Sequence, residues 1–346
     1  MRTLTEPSLR ACVTVVPPRT RPRAGAQQRP THGLRVKRAR GRGAAMASSL
    51  VDSIPLAVFC DSYKATHPLQ YPPCDLMVAY GEFRSGYNQD AADTRVVHYG
   101  IRHLIETYLH RRWTEADLDR ADAFFATHAA GGAPLPWPRD LFRRVVRECG
   151  GYFPIKVQAL REGTCAHARV PAYQITAAGD YAPLCLFFET VLTHVWYPST
   201  VATLSRRARD VIEAAFERGA DGGAASAHVP SRLHDFGMRG CCTGEQAIIG
   251  GCAHLLSFDG SDTMPAAFHA QFHLNGGRPV ASSIPATVRH PAVRRAVPHC
   301  SCINCRTDCV FRAGGTCLVC SYTATKSCPR FDVWESVRIR CRNTRS

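Results

Sequence analysis

The chain has 346 residues, with 43 Lys+Arg against 28 Asp+Glu, a formal net charge of +15, and 45% hydrophobic and 21% charged residues. That apolar content excludes a fully disordered chain, and no apolar run reaches the roughly 18 residues that a spanning helix needs. The basic excess is confined to the flanks: residues 1–46 carry a net +10, residues 288–346 a net +8, and residues 47–287 a net −3. A nucleic-acid surface on the globular part is therefore disfavoured.

Three segments follow from composition. Residues 1–46 are rich in Arg, Pro, Ala and Gly and read as a basic disordered extension. They are Arg-rich and acid-poor like a transit peptide, but poor in Ser and interrupted by prolines, so organelle targeting is not favoured. Residues 47–287 read as one continuous globular run. Residues 288–346 form a Cys/Arg-rich tail holding 8 of the 17 cysteines. The other cysteines lack C-x-x-C spacing, which suits reduced thiols and a cytoplasmic location.

In chain order, residues 54–60 form a short apolar run that predicts a strand. Residues 95–111 have helical spacing, with Ile101, Leu104, Ile105 and Leu109 on one face. Residues 152–160 and 173–176 alternate like strands. Residues 186–195 predict a helix stopped by Trp196, Tyr197 and Pro198. A second helix over 199–218 has a stripe of Val201, Leu204, Ala208, Val211, Ile212, Ala215 and Phe216. A Gly/Ala-rich loop at 219–230 leads to a strand at 232–236 and a turn at 237–242. Thr243 then opens a helix, with Gln246 as its capping-box partner. The small residues Ala247, Gly250, Gly251 and Ala253 would let this helix approach a sheet closely. A second strand end at 257–260 and a loop at 261–263 complete a strand–turn–helix–strand unit. Such a unit repeats in parallel sheets and barrels, whose sites lie just beyond the strand ends.

The sequence LHDFGMRG at 233–240 brings a base, an acid, an aromatic ring and a guanidinium into one strand-end turn. Phe236 could stack on a flat heteroaromatic ring, and Arg239 could fork onto a phosphate. The helix beginning near Thr243 would offer backbone N–H groups to an anion. One strand later, Asp262 could accept from an amide NH2 and repel a carboxylate. The structural alternative is a core Phe beside a surface Arg–Asp pair.

These motifs resemble those of a known family. DSYKATH at 61–67, YPP at 71–73, YGEFR at 80–84, WYPSTVATLSR at 196–206, LHDFGMRG at 233–240, GSDT at 260–263 and SIPAT at 283–287 follow the order and spacing of nicotinamide phosphoribosyltransferases, type II phosphoribosyltransferases. The resemblance covers about residues 55–287, roughly the first half of the family's usual chain. It implies an α/β fold: an N-terminal mixed α+β domain over 47–185 plus the first βα units of an irregular barrel, truncated here, over 186–287. It also implies formation of nicotinamide mononucleotide and pyrophosphate from nicotinamide and phosphoribosyl pyrophosphate, in NAD salvage. A homodimer with shared active sites would come with it.

Residue by residue, the resemblance implies that Phe236 stacks on one face of the pyridine and Tyr63 of a second subunit covers the other. Arg239 would bind phosphate, and Asp262 would contact the carboxamide and favour nicotinamide over nicotinic acid. Arg84 and Ser283 would line the pocket, with His234 at its mouth. Mg2+ would arrive with phosphoribosyl pyrophosphate, and ATP would stimulate through a phosphorylated histidine.

The chain departs from the pattern after SIPAT. His290 is displaced by one position from the phosphorylated histidine and lacks its acidic neighbour, so no catalytic residue is assigned with confidence there. In the tail, Cys302, Cys305, Cys317 and Cys320 have zinc-ligand spacing. The abrupt compositional shift at 288 favours an aberrant end over a zinc module, and zinc is disfavoured as a cofactor. The expectation is an incomplete, weakly active or inactive enzyme. The alternatives are a non-catalytic half-barrel subunit modulating a full-length partner, or a zinc-binding basic protein.

Overall fold

The computed structural model describes residues 51–87, 90–219 and 226–284, together with the backbone of two strand segments in the flanks. His290 and the four tail cysteines lie outside the described residues, as do the rest of segments 1–46 and 288–346.

The strands are β1 (Ala11–Val13), β2 (Leu76–Glu82), β3 (Arg95–Val97), β4 (Lys156–Ala159), β5 (Cys165–His167), β6 (Pro171–Ala178), β7 (His234–Asp235), β8 (Gly260–Ser261) and β9 (Arg340–Arg342). The helices are α1 (His67–Gln70), α2 (Ile101–Leu104), α3 (Glu115–Phe125), α4 (Arg139–Cys149), α5 (Leu184–Thr193), α6 (Trp196–Gly219), α7 (Gly244–His254) and α8 (Met264–His269). One sheet runs β1-β4-β6-β2-β9, every neighbour antiparallel. Antiparallel β3 and β5 form a second, two-stranded sheet. Parallel β7 and β8 form a third, extended by a parallel bridge from Gly260 to Ser282. An α+β region thus precedes one βαβ unit, the α/β combination that the sequence predicts.

The main core lies between the antiparallel sheet and its helices. Helix α5 is apolar nearly all round and accordingly buries Leu184, Leu186, Phe187, Phe188, Val191 and Leu192. Phe142 and Phe153 meet its Phe187 and Phe188 edge-on, and Trp113 packs tilted against both Phe142 and Phe153. Its one buried acid, Glu189, is ion-paired with Lys64 of the DSYKATH turn. That pair ties the turn to the core.

Several elements differ from the sequence expectation. Residues 54–60 are not a strand but successive tight turns, closed by Ile54 N–H to Val51 O, Val58 N–H to Pro55 O and Phe59 N–H to Leu56 O. The run is apolar because Leu56 and Ala57 enter the core. Residues 95–111 divide into β3, α2 and a π-helical turn over Ile105–Leu109. The break is Gly100, whose φ of 102° is left-handed backbone that only Gly adopts freely. The face proposed there, Ile101, Leu104, Ile105 and Leu109, is buried. Trp196, Tyr197 and Pro198 begin α6 rather than stopping α5, since Pro is tolerated in a first helical turn.

The α6 stripe is also corrected. Val211 is exposed, while Ser199, Ala202, Thr203 and Ser205 are buried. Those hydroxyls complete the backbone of the β3 region. Val97 N–H donates to Thr203 Oγ1 (2.9 Å), and Tyr99 N–H donates to Ser199 Oγ (3.0 Å). A polar helix face thus replaces a missing strand neighbour.

Candidate functional site

The site is built on β7, α7 and β8. Thr243 caps α7 as predicted, its Oγ1 accepting from Gln246 N–H (3.1 Å). The return bond differs from a full capping box: Gln246 Oε1 accepts from Cys242 N–H (3.0 Å), one residue earlier than the cap. Among the described residues, the Gly244 and Glu245 amides have no hydrogen-bond acceptor, so the helix start keeps free donors.

Strand alternation sorts LHDFGMRG into two faces. Leu233, Asp235 and Gly237 look towards α7 and line a cleft with Tyr197, Cys241 and Gly251. His234 and Phe236 lie on the other face, their ring centroids 6.4 Å apart. The His234 ring covers Gly260, where a Cβ would fall 2.6 Å from Cδ2. His234 Nδ1 is buried without a hydrogen bond among the described residues and stands 3.6 Å from Asp262 Oδ1. Ser283 Oγ donates to the same Asp262 oxygen at 2.6 Å. Phe236, His234, Asp262 and Ser283 therefore form one row across the strand ends.

Phe236 is 40% exposed, which removes the core-Phe alternative. The neighbouring 3-10 turn over Gly237–Arg239 presents Arg239 to solvent, and no carboxylate among the described residues pairs with it. An exposed aromatic face, a free guanidinium and a carboxylate lie on adjacent strand ends. Together they can take a flat ring, an anion and a hydrogen-bond donor.

Tyr63 and Arg84 stand on other elements. Tyr63 is 55% exposed on the turn before α1, its ring 5.0 Å from His67. Arg84 is half-buried just beyond β2, and its carbonyl accepts from Arg169 Nε (2.7 Å). The row itself is made by the four residues named above.

Two features escaped the sequence reading. One is the role of Asp235, read only as an acid in the turn, whose Oδ1 accepts from Gly237 N–H at 2.8 Å. The Asp-x-Gly spacing is an Asx-turn signal that could have shown it. The other is His254, buried behind β7, where it meets Ser205 Oγ (3.0 Å) and the Leu233 carbonyl (3.2 Å). Burial pushes its pKa down, so the neutral ring donates from Nε2 to Leu233 O and accepts from Ser205. On the same side, burial raises the Cys241 thiol, and the Cys252 thiol is pushed up to about 12. These cysteines are poor nucleophiles. The described cysteines, Cys60, Cys74, Cys149, Cys165, Cys185, Cys241, Cys242 and Cys252, are all free thiols.

Among the described residues no group of three or more His, Cys, Asp or Glu side chains could hold a metal ion. No described helix is long and apolar enough to cross a membrane.

Residues 55–157 match the family "Nicotinamide phosphoribosyltransferase, N-terminal domain". A nicotinamide phosphoribosyltransferase of Xanthomonas campestris is 36% identical over 234 residues, covering 65% of this chain and 46% of that protein. One from Acinetobacter baylyi is 28% identical over 246 residues, covering 66% and 46%. Among solved structures, human nicotinic acid phosphoribosyltransferase aligns with a TM-score of 0.44 at 22% identity, over 65% of this chain and 39% of that one. Nicotinate-nucleotide pyrophosphorylase from Pyrococcus furiosus aligns at 0.43 and 16%, over 74% and 47%. The chain spans about half the length of the curated relatives it matches. Over residues 55–157 the chain is similar to the N-terminal domain of nicotinamide phosphoribosyltransferases, and its similarity to the two bacterial enzymes extends over about two thirds of this chain and about half of theirs.

Proposed function

We propose that the chain binds nicotinamide and the phosphorylated sugar of phosphoribosyl pyrophosphate at the Phe236–Asp262 row, and that it represents the pyridine-binding part of a nicotinamide phosphoribosyltransferase. The observation that carries this is the exposed Phe236 ring, three residues before solvent-facing Arg239, on a strand end that adjoins the one bearing Asp262.

In this reading the pyridine stacks on Phe236, and its amide NH2 donates to Asp262. Ser283 already donates to Asp262 Oδ1, which fixes the carboxylate and leaves Oδ2 for the ligand. A carboxylate ligand would meet Asp262 as a like charge, so nicotinamide is favoured over nicotinic acid. Arg239 and the free amides at the α7 start hold phosphate oxygens.

The pyridine nitrogen lone pair forms the new bond to the anomeric carbon. The C–O bond to pyrophosphate breaks, and pyrophosphate leaves with that electron pair. The protein's share is alignment and charge stabilisation, with no covalent intermediate. Mg2+ enters as part of the substrate, chelated by pyrophosphate.

A homodimer extends the proposal: Tyr63 of a second copy would close the other face of the pyridine. Support comes from its exposure and from the buried Lys64–Glu189 pair that fixes its turn. Stimulation by ATP through a phosphorylated histidine stays an expectation of the resemblance, and the displaced His290 is not assigned that role. With about half the length of its relatives, the chain is proposed to turn over slowly or not at all.

The test is titration calorimetry with nicotinamide mononucleotide, beside a pyrophosphate-release assay requiring both substrates. We expect binding that weakens about tenfold in R239A and in D262A, the loss of roughly one charge-assisted hydrogen bond. Unchanged affinity in both variants would overturn the site. Turnover matching a full-length relative would overturn the slow-turnover part.

A further inference from the structure

We propose that Asp235 is a positioning residue that holds the pyridine-stacking ring, the phosphate-facing arginine and the amide-reading carboxylate in one frame. This rests on the proposed function, and Asp235 touches no ligand in it. The side chain is buried, with 5% exposure, on the α7 side of β7. Its Oδ1 accepts from Gly237 N–H (2.8 Å), which closes the backbone around Phe236. The bonded amide begins the 3-10 turn that carries Arg239. The Asp235 carbonyl accepts from Asp262 N–H (2.8 Å), fixing the second strand end to the first. One residue therefore bonds on either side of the row that it does not enter.

The surroundings are shaped to admit this carboxylate. A Cβ at Gly237 would stand 2.9 Å from Oδ1, and a Cβ at Gly251 of α7 would stand 2.8 Å from Oδ2. Both glycines bare the backbone where the oxygens lie. Oδ2 is buried and has no hydrogen-bond partner among the described residues. Leaving such an oxygen unpaired is unfavourable for packing alone, since an apolar residue would fill the space at less desolvation cost. What the acid gains is the Gly237 anchor, and a carboxamide would supply the same acceptor.

The experiment compares wild type with D235N, D235A and D235L in the full chain. Hydrogen exchange at the Gly237 amide is read without ligand, and nicotinamide mononucleotide affinity is read by calorimetry. Asn keeps an acceptor at Oδ1, Ala removes it, and Leu removes it while filling the space. We expect D235N within about threefold of wild type in both readouts. D235A and D235L should exchange Gly237 at least tenfold faster and bind about tenfold more weakly, at thermal midpoints that still show a folded chain.

Wild-type exchange rates in D235L would overturn the inference, as would affinity losses equal in Asn and Leu. If neither Ala nor Leu folds, protection of Gly237 in ligand-free wild type and D235N supports the anchor, and unprotected exchange there refutes it. Failure of the wild type to bind nicotinamide mononucleotide would defeat the proposed ligand, while the exchange arm would still judge the Asp235 anchor.

Discussion

Gly251 lies in the middle of α7, where the helix crosses α8 and the back of β7. Replacing it with Ala places a Cβ 2.4 Å from Ala266 Cβ and 2.8 Å from Asp235 Oδ2. Neither neighbour is the tip of a flexible side chain. Ala266 is fully buried in α8, and the Asp235 carboxylate is held by Gly237 N–H. Relief therefore needs the two helices to separate by about 1 Å, to reach ordinary carbon contact. Overpacking of this kind costs about 1–3 kcal/mol, here towards the upper end because two contacts are violated. Helix propensity returns about 1 kcal/mol when Gly becomes Ala, so the net loss is about 2 kcal/mol.

Helix α8 follows directly from Asp262 and Thr263, so the separation also moves the proposed amide acceptor. Urea unfolding of G251A should show a lower midpoint, and nicotinamide mononucleotide should bind several-fold more weakly. G244A is the control, because nothing lies within 4 Å of the position its Cβ would take. Its stability should stay within about 0.5 kcal/mol of wild type. The G251A/A266G double variant removes the 2.4 Å contact and should be more stable than the sum of the single effects implies. G251A as stable as wild type, or strict additivity with A266G, would refute the packing argument.

Further outcomes follow from buried charge. His98 is buried with neither ring nitrogen hydrogen-bonded among the described residues, and desolvation pulls its pKa down to about 4. Below pH 6.5 the unfolded chain takes up a proton that the folded chain refuses until about pH 4, so stability present above 6.5 falls across that window. The limiting loss is about 3 kcal/mol. Denaturation between pH 7 and 4 should therefore show a shallower decline in H98L, and identical slopes would count against the assignment. Removing one partner of the buried Lys64–Glu189 pair strands the other charge, so K64A should lose about 3–5 kcal/mol by urea unfolding. K64M/E189L should recover most of that loss, and a double variant no better than K64A would show that the pair is not the anchor of the Tyr63 turn.

The strand–turn–helix–strand unit was legible because its signals are local. Thr243 caps through a residue three places on, and strand alternation separates His234 and Phe236 from Asp235. Less local signals misled. The 54–60 run is apolar because two of its residues reach the core from a turn, which period-two patterning cannot distinguish from a strand. In α6 the apolar stripe failed because β3 and the residues after it need hydrogen-bonding groups, so Ser199 and Thr203 face inward and Val211 faces out. The small residues of α7 were read as allowing approach to a sheet. The structure uses them against α6 and α8 as well: a Cβ on Gly250 would meet the Tyr197 hydroxyl at 2.8 Å. The Asp262–Ser283 bond spans 21 residues and could not be read from spacing.

The most direct measurement is a structure of the chain with nicotinamide mononucleotide bound. It should show the pyridine against the exposed Phe236 face, the carboxamide NH2 on Asp262, and the phosphate on Arg239 beside the α7 start. A ligand seated elsewhere, or a pyridine on Phe236 with its phosphate turned away from Arg239, would contradict the account.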